Sequence, residues 1–163
     1  MRRLLMATLG MLFLASAPAS AGNLLRELEE RPRFATLVAA INAAGLADAV
    51  ANCTRCTLFA PNNQAFLRLP PGTVAALLLP GNKGKLGAIL TYHLVGAQIP
   101  AAAVPTKATL VQTANVSEAK IRAVRSNGNV RINGIRVVNA DIRANQSIIH
   151  EIGDVLFPGE IRH

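Results

Sequence analysis

Two cysteines, Cys53 and Cys56, form a C-x-x-C motif and are the only cysteines in the 163-residue chain. Such a pair can form a structural disulfide, act as a redox site or supply half of a metal site. Two thiolates do not complete a tetrahedral zinc site, and no other Cys or His pair has a matching spacing. A redox pair normally begins a helix that lowers a thiol pKa, whereas this pair precedes a predicted strand. We therefore expect a disulfide, and a thiol–disulfide protein is the alternative function.

Two histidines, His93 and His150, are candidates for acid–base chemistry, because Ser147, Asp141 and Asp154 lie close to His150 in the sequence. A small hydrolase is the corresponding hypothesis. The chain has no G-x-S-x-G motif, however, and Ser147 lies in a turn before a predicted strand. A histidine on an apolar strand is more often a hydrogen-bonded core residue than a general base. We predict no catalytic residue, no metal site and no cofactor, since calcium-loop carboxylates and a glycine-rich phosphate loop are also missing.

Basic residues give the best indication of a ligand in a chain with a formal charge of +8. Lys120 and Arg122 share one face of a predicted strand, and Arg131 and Arg136 lie on neighbouring predicted strands. If the strand register aligns them, they form a basic patch that suits an anionic polysaccharide, a lipid headgroup or an acidic protein. The alternative is that they are solvated charges on edge strands, which discourage sheet-to-sheet aggregation. Nucleic acid is disfavoured, because aromatic residues make up 4% of the chain and Trp is absent.

The first residues have the pattern of a secretory signal peptide. Arg2 and Arg3 precede an apolar run over residues 4–15, and Ala19-Ser20-Ala21 fits a cleavage site. We expect cleavage after Ala21, which makes the protein secreted or periplasmic. No later apolar stretch is long enough to span a membrane. The remaining residues 22–163 are predicted to form a single domain, and a hydrophobic content of 51% excludes intrinsic disorder.

The elements that must position these side chains fall into two halves, and the first half is helical. Apolar residues recur at helical spacing after Pro32, and Gly45 ends that helix. We predict N-caps at Asn23, Asn62 and Thr73. A short strand is expected over residues 57–60, and a helix over residues 82–90 that runs on into 91–95.

The second half alternates with a period of two, which is typical of strands. Strands are predicted at residues 107–113, 119–125, 129–132, 135–138, 147–150 and 154–157. Asn127-Gly128 and Asn133-Gly134 indicate tight hairpin turns, because these residue types tolerate positive φ. Helices followed by strands predict an α+β fold.

Three stretches, taken together in this order, resemble the fasciclin domain family. The first is Thr-Leu-Phe-Ala-Pro-Asn-Asn-Gln-Ala-Phe at 57–66, the second is Tyr92-His93, and the third runs from Asn139-Ala140-Asp141-Ile142 through residues 148–158. The resemblance covers residues 24–158. It implies a β-wedge of about seven strands with several helices packed around it. It also implies an extracytoplasmic adhesion or ligand-binding module without known catalytic residues.

The same resemblance suggests where a partner would bind. Tyr92, His93, Asp141 and Ile142 occupy positions that are linked to partner binding in animal members of the family. We expect a protein, an anionic polysaccharide or a lipid headgroup at the cell envelope as the partner. Two features depart from the family pattern, namely the C-x-x-C motif and Ser147, which replaces a usual glycine. If position 147 needed positive φ, the serine would cost about 1 kcal/mol.

Overall fold

The computed structural model describes residues 23–159 except 116 and 118, so the expected signal peptide, residues 1–21, lies outside the described residues. The helices are α1 Leu24–Glu29, α2 Ala35–Ala43, α3 Ala47–Ala51, α4 Asn63–Leu67, α5 Thr73–Leu77 and α6 Lys83–Tyr92, with 3-10 turns at Pro32–Phe34, Pro80–Asn82 and Ala101–Ala103. The strands are β1 Thr57–Pro61, β2 Leu94–Val95, β3 Thr109–Gln112, β4 Lys120–Ser126, β5 Asn129–Ile132, β6 Ile135–Ala144 and β7 Ser147–Ile152. In this part of the chain no helix is both long and apolar enough to cross a membrane.

The helix boundaries follow from local side-chain chemistry in most places. The Asn23 side chain accepts a hydrogen bond from the Arg26 amide at 2.8 Å, and Asn62 accepts one from the Ala65 amide at 3.0 Å, as predicted for N-caps. Gly45, which follows the C-cap residue Ala44 of α2, has a φ of +70°. The predicted cap at Thr73 is wrong, because α5 begins at Thr73 after Gly72, whose φ of +84° makes the turn without a side-chain cap.

The seven strands form one mixed sheet in the order β2-β1-β7-β6-β5-β4-β3. The β1–β7 pair is parallel and the other pairs are antiparallel. The two edges of the sheet approach each other, because the Ala114 amide after β3 donates to the Leu94 carbonyl of β2 at 2.7 Å. The α+β class and the seven-stranded wedge are therefore confirmed.

Two apolar clusters hold the fold together, and β7 lies between them. The helices α1 to α6 pack around Phe34, Leu37 and Ile41 against one side of the sheet. The curved sheet encloses a second cluster that includes Phe59 and Ile132. All six residues of β7 are buried, which explains why Ser147, His150 and Glu151 each need an internal hydrogen-bond or ion-pair partner.

The predicted strand at residues 154–157 is wrong. Strand β7 already pairs with β1 on one side and β6 on the other, so the sheet leaves no free edge beside it. Residues 153–157 instead run as irregular chain that buries Val155 and Leu156. Strand β6 is longer than predicted and continues through two register shifts to Ala144, and the short β2 was missed within the predicted helical run.

Candidate functional site

The strand register brings the four predicted basic residues onto one face of the sheet. Arg131 of β5 lies directly opposite Arg136 of β6, and Val124 of β4 lies opposite Arg131. Because alternate residues of a strand share a face, Arg122 and Lys120 lie on the same side as Val124. Lys120, Arg131 and Arg136 are exposed, and Arg122 is half-buried. We call these four residues the basic stripe.

The basic stripe carries little compensating charge. Among the described residues, no member of the stripe has a carboxylate within ion-pair distance, whereas Arg26, Arg31, Arg33 and Arg68 of the helical half all do. Within the stripe, Arg131 Nη1 donates to the Gly134 carbonyl and Arg136 Nη2 to Asn129 Oδ1, each at 3.0 Å. Residues 105–147 contain seven Lys or Arg and only two acidic residues. The stripe therefore has a positive potential, because its hydrogen-bond partners are neutral and do not cancel its charge.

The position of the stripe in the sheet excludes one explanation for it. Strands β4, β5 and β6 are interior strands, and the edges of the sheet are β2 and β3. The β3 edge, Thr109–Gln112, has no charged residue. The charges on the stripe therefore do not serve to prevent pairing of an exposed edge strand with another sheet. Moreover, like charges directly opposite each other, such as Arg131 and Arg136, destabilise a sheet.

Tyr92 and His93 are both 1% exposed and lie at the end of α6, where the chain enters β2. The Tyr92 hydroxyl donates to the Lys120 carbonyl at 3.0 Å and accepts from Asn133 Nδ2 at 2.9 Å. Tyr92 thus ties the end of α6 to the strand that carries half of the basic stripe. Neither side chain therefore reaches the molecular surface in this arrangement.

The His93 ring is fixed in one tautomer by two backbone groups. Its Nδ1–H donates to the Ile89 carbonyl at 2.8 Å, because Nε2 accepts from the Leu156 amide at 2.9 Å. Burial lowers the pKa of His93 from 6.5 to about 4, and the Ile89 carbonyl opposes that shift only in part. The imidazole is therefore neutral at neutral pH and joins α6, β2 and the chain after β7.

Asp141 and Ile142 lie where β6 shifts register, in a cluster around His150. Asp141 is exposed with a φ of +58°, whereas Ile142 is buried. The Asp141 carboxylate accepts from the Ala101 amide at 2.9 Å. Its own amide donates to His150 Nδ1 at 3.2 Å, and His150 Nε2 donates to the Ile99 carbonyl at 2.7 Å. Of the four residues that the family resemblance links to partner binding, only Asp141 therefore presents its side chain at the surface.

The hydrolase hypothesis does not fit the surroundings of His150. Both ring nitrogens are already hydrogen-bonded to backbone groups, and the ring stacks on Phe59 with centroids 5.6 Å apart. Burial lowers the pKa of His150, while the Ile99 carbonyl and the Asp141 charge oppose the shift. The Ser147 hydroxyl makes its hydrogen bonds to the backbone of Cys53 and Cys56. No group of three or more His, Cys, Asp or Glu that could hold a metal occurs among the described residues.

Cys53 and Cys56 form a disulfide in the loop between α3 and β1. This loop follows the C-terminus of a helix, whose dipole does not favour a thiolate. Ser147 secures it, since its hydroxyl donates to the Cys53 carbonyl at 3.2 Å and accepts from the Cys56 amide at 3.1 Å. Ser147 does not have positive φ, so the cost expected from replacing glycine does not arise. The geometry favours a structural clamp over a redox centre.

Sequence reasoning missed two polar residues that position the site. Ser147 was treated as a departure from a pattern, although it links the disulfide loop to β7. Asn133 was treated only as a turn residue, but it is 1% exposed and its Oδ1 accepts from the Arg122 amide at 2.7 Å. Asn133 therefore joins Tyr92 to the stripe. The Asn-Gly dipeptide was the only available signal, and it identifies the turn without the contacts.

Comparison with known proteins places the chain in a family. The Fasciclin domain model matches residues 32–158, and the chain belongs to the fasciclin domain family. The solved FAS1 domain pair from the insect cell adhesion molecule fasciclin I has a similar fold, with a TM-score of 0.72 at 20% identity. The similarity covers 83% of this chain and 50% of that one.

Relatives with higher sequence identity occur in bacteria and animals. Protein sll1483 of Synechocystis is 39% identical over 143 residues, which cover 88% of this chain and 77% of the relative. Immunogenic protein MPB70 of Mycobacterium bovis is 34% identical, over 78% of this chain and 64% of the relative. Transforming growth factor-beta-induced protein ig-h3 of Sus scrofa is 34% identical, over 84% of this chain but only 19% of its own length. The match to ig-h3 thus concerns one part of a much longer protein.

Proposed function

We propose that this chain is an exported, non-catalytic fasciclin-type binding module that recognises an anionic polysaccharide through the basic stripe. The observation that carries the proposal is the register of β4, β5 and β6, which aligns the stripe on interior strands. Neighbouring strands lie about 4.8 Å apart, and alternate residues along a strand about 7 Å apart. An open row of cations at these spacings suits a polymer with repeated anionic groups better than one compact ligand.

The energetics of the stripe support the same proposal. Arg131 and Arg136 face each other as like charges, which lowers the stability of the free protein. A bound polyanion removes that repulsion and forms charge-assisted hydrogen bonds with the guanidinium groups. The adhesion role named for the insect protein is consistent with a module that attaches to a cell-surface polymer. The signal-peptide pattern of residues 1–21 supports export to the compartment where such polymers occur.

The test compares binding to dextran sulfate with binding to neutral dextran. The stripe variant is Arg131→Gln/Arg136→Gln, and the matched control is Lys83→Gln/Lys85→Gln on α6, which loses the same two charges elsewhere. Removing two direct contacts should weaken dextran sulfate binding about tenfold, and the control should stay within about twofold of wild type. Equal losses in both variants would show that only net charge matters, and absence of wild-type binding at low salt would exclude the proposal.

A further inference from the structure

A second surface, distant in sequence from the basic stripe, exposes an unusual amount of apolar side chain. Leu67 is 74% exposed, Leu79 57% and Leu78 36%. Leu67 is the last residue of α4, and Leu78 and Leu79 follow directly after α5. Three of the five large hydrophobic residues that are most exposed in the described part of the chain therefore project from one pair of short helices. We call them the leucine patch.

Leu67 and Leu78 of the leucine patch line a groove of about 480 Å³ between α4 and α5, and Leu79 follows Leu78 in the chain. Phe66, Leu69 and Val74 form its floor, and Leu67 and Leu78 stand at its rim. None of the residues that line the groove has a polar side chain. A folded protein partner or a peptide would find no side-chain donor or acceptor there to fix its orientation. A hydrocarbon environment needs none.

The charged side chains near the patch are basic except Asp154, which is paired with Arg68. The sequence contains no Asp or Glu between Asp48 and Glu118. Lys83 and Lys85 are exposed at the start of α6, only a few residues after Leu79. The Asn82 side chain donates to the Ala76 carbonyl of α5 at 2.7 Å and so ties the start of α6 to α5. Arg68 also lies beside Leu67, although it is paired with Asp154 at 3.4 Å.

We infer that the leucine patch binds the surface of an anionic lipid bilayer. The three leucines enter the boundary between headgroups and acyl chains, and Lys83 and Lys85 contact the anionic headgroups beside them. This combination of projecting apolar side chains with flanking lysines is the chemistry of reversible interfacial binding. The short helices stay folded, since Phe66 and Leu77 remain in the protein core. The inference does not depend on the proposed function, which concerns other residues.

The experiment is cosedimentation of the folded protein with vesicles of equal parts phosphatidylglycerol and phosphatidylcholine, and with phosphatidylcholine alone. The leucine variant is Leu67→Ser/Leu78→Ser/Leu79→Ser. The matched control is Leu110→Ser, which removes a residue of the edge strand β3 that is 59% exposed. We expect wild type to bind the anionic vesicles, with at least about a tenfold loss in the leucine variant and about fivefold for each lysine changed to Gln. The control should bind like wild type.

Three results would overturn the inference. In the first result, wild type binds neither the anionic vesicles nor the phosphatidylcholine vesicles. In the second, the control variant loses as much affinity for the anionic vesicles as the leucine variant does. In the third result, neither protein binds vesicles, and sedimentation velocity without lipid shows that wild type self-associates while the leucine variant is monomeric. The patch would then be an interface between copies of this chain. Circular dichroism establishes that each variant is folded. Because all three leucines are at least partly in solvent, their replacement should leave the fold intact.

Discussion

His93 should make the protein less stable in mild acid, and this effect can be isolated by substitution. The buried ring is neutral in the folded protein, and both of its nitrogens are committed to backbone partners. Protonation would place a charge in the core and break the bond in which Nε2 accepts from the Leu156 amide. The unfolded chain has no such penalty, so it binds the proton more readily. We expect His93→Gln to remove this source of acid sensitivity.

The sign and size of the effect follow from the two pKa values. The folded-state pKa of His93, about 4, is lower than the unfolded value of 6.5. The unfolded state therefore binds more protons as the pH falls through 6.5, and stability decreases until the pH drops below about 4. The loss is about 1 kcal/mol at pH 5.5 and about 3 kcal/mol at pH 4, relative to pH 7.5. About one pH unit above 6.5 and higher, the contribution is constant.

The assay is urea unfolding of wild type and His93→Gln between pH 7.5 and pH 4. The difference between the two proteins cancels the titration of carboxylates, which are common to both. His150→Gln is the control for a second buried histidine whose pKa is also lowered. The reasoning would be refuted if wild type and His93→Gln lost stability in parallel. If His93→Gln fails to fold, an NMR titration of wild-type His93 gives its pKa directly, and a value near 6.5 would refute the reasoning equally.

Three further expectations concern stability and can be measured by urea unfolding at pH 7.5. Phe59→Ala should cost about 3–5 kcal/mol, since Phe59 of β1 is buried in the cluster that the sheet encloses and stacks on His150 of the neighbouring β7. Leu67→Ala should cost almost nothing, and similar costs would contradict the assigned core. Ser147→Ala should cost about 1–3 kcal/mol by leaving the Cys53 carbonyl and the buried Cys56 amide unpaired, and an unchanged midpoint would exclude that clamp. Cys53→Ser/Cys56→Ser should cost about 2 kcal/mol and leave dextran sulfate binding unchanged. Loss of binding in the folded variant would contradict the purely structural role of the disulfide.

The hairpins show what local sequence can specify. Asn127 and Gly128 were predicted to have positive φ, and their φ values are +48° and +76°. Asn133 and Gly134 behave in the same way, at +49° and +82°. These turns set the register of β4, β5 and β6, and the register is what aligns the basic stripe. The basic stripe could therefore be predicted from the sequence, because the turns and the strand alternation that align it are both local features.

Contacts between residues that are distant in the chain could not be predicted from local sequence patterns. Residues 154–157 alternate like a strand, but whether they form one depends on a free sheet edge, and β1 and β6 occupy both edges of β7. The burial of Tyr92 likewise depends on Asn133 and Lys120, which are distant in the chain. The family resemblance located Tyr92 and His93 without showing that they face inward. The leucine patch was missed because the exposure of Leu78 and Leu79 depends on how α5 packs against the rest of the chain.

The most direct test of the basic stripe is the salt dependence of dextran sulfate binding, measured for wild type and for Arg131→Gln/Arg136→Gln. Each cation that contacts the polyanion contributes about one to the slope of the logarithm of affinity against the logarithm of salt concentration. The slope should therefore fall by about two in the stripe variant and change little in Lys83→Gln/Lys85→Gln. Equal slopes in wild type and the stripe variant would show that these arginines do not contact the polymer, and would contradict the proposed function.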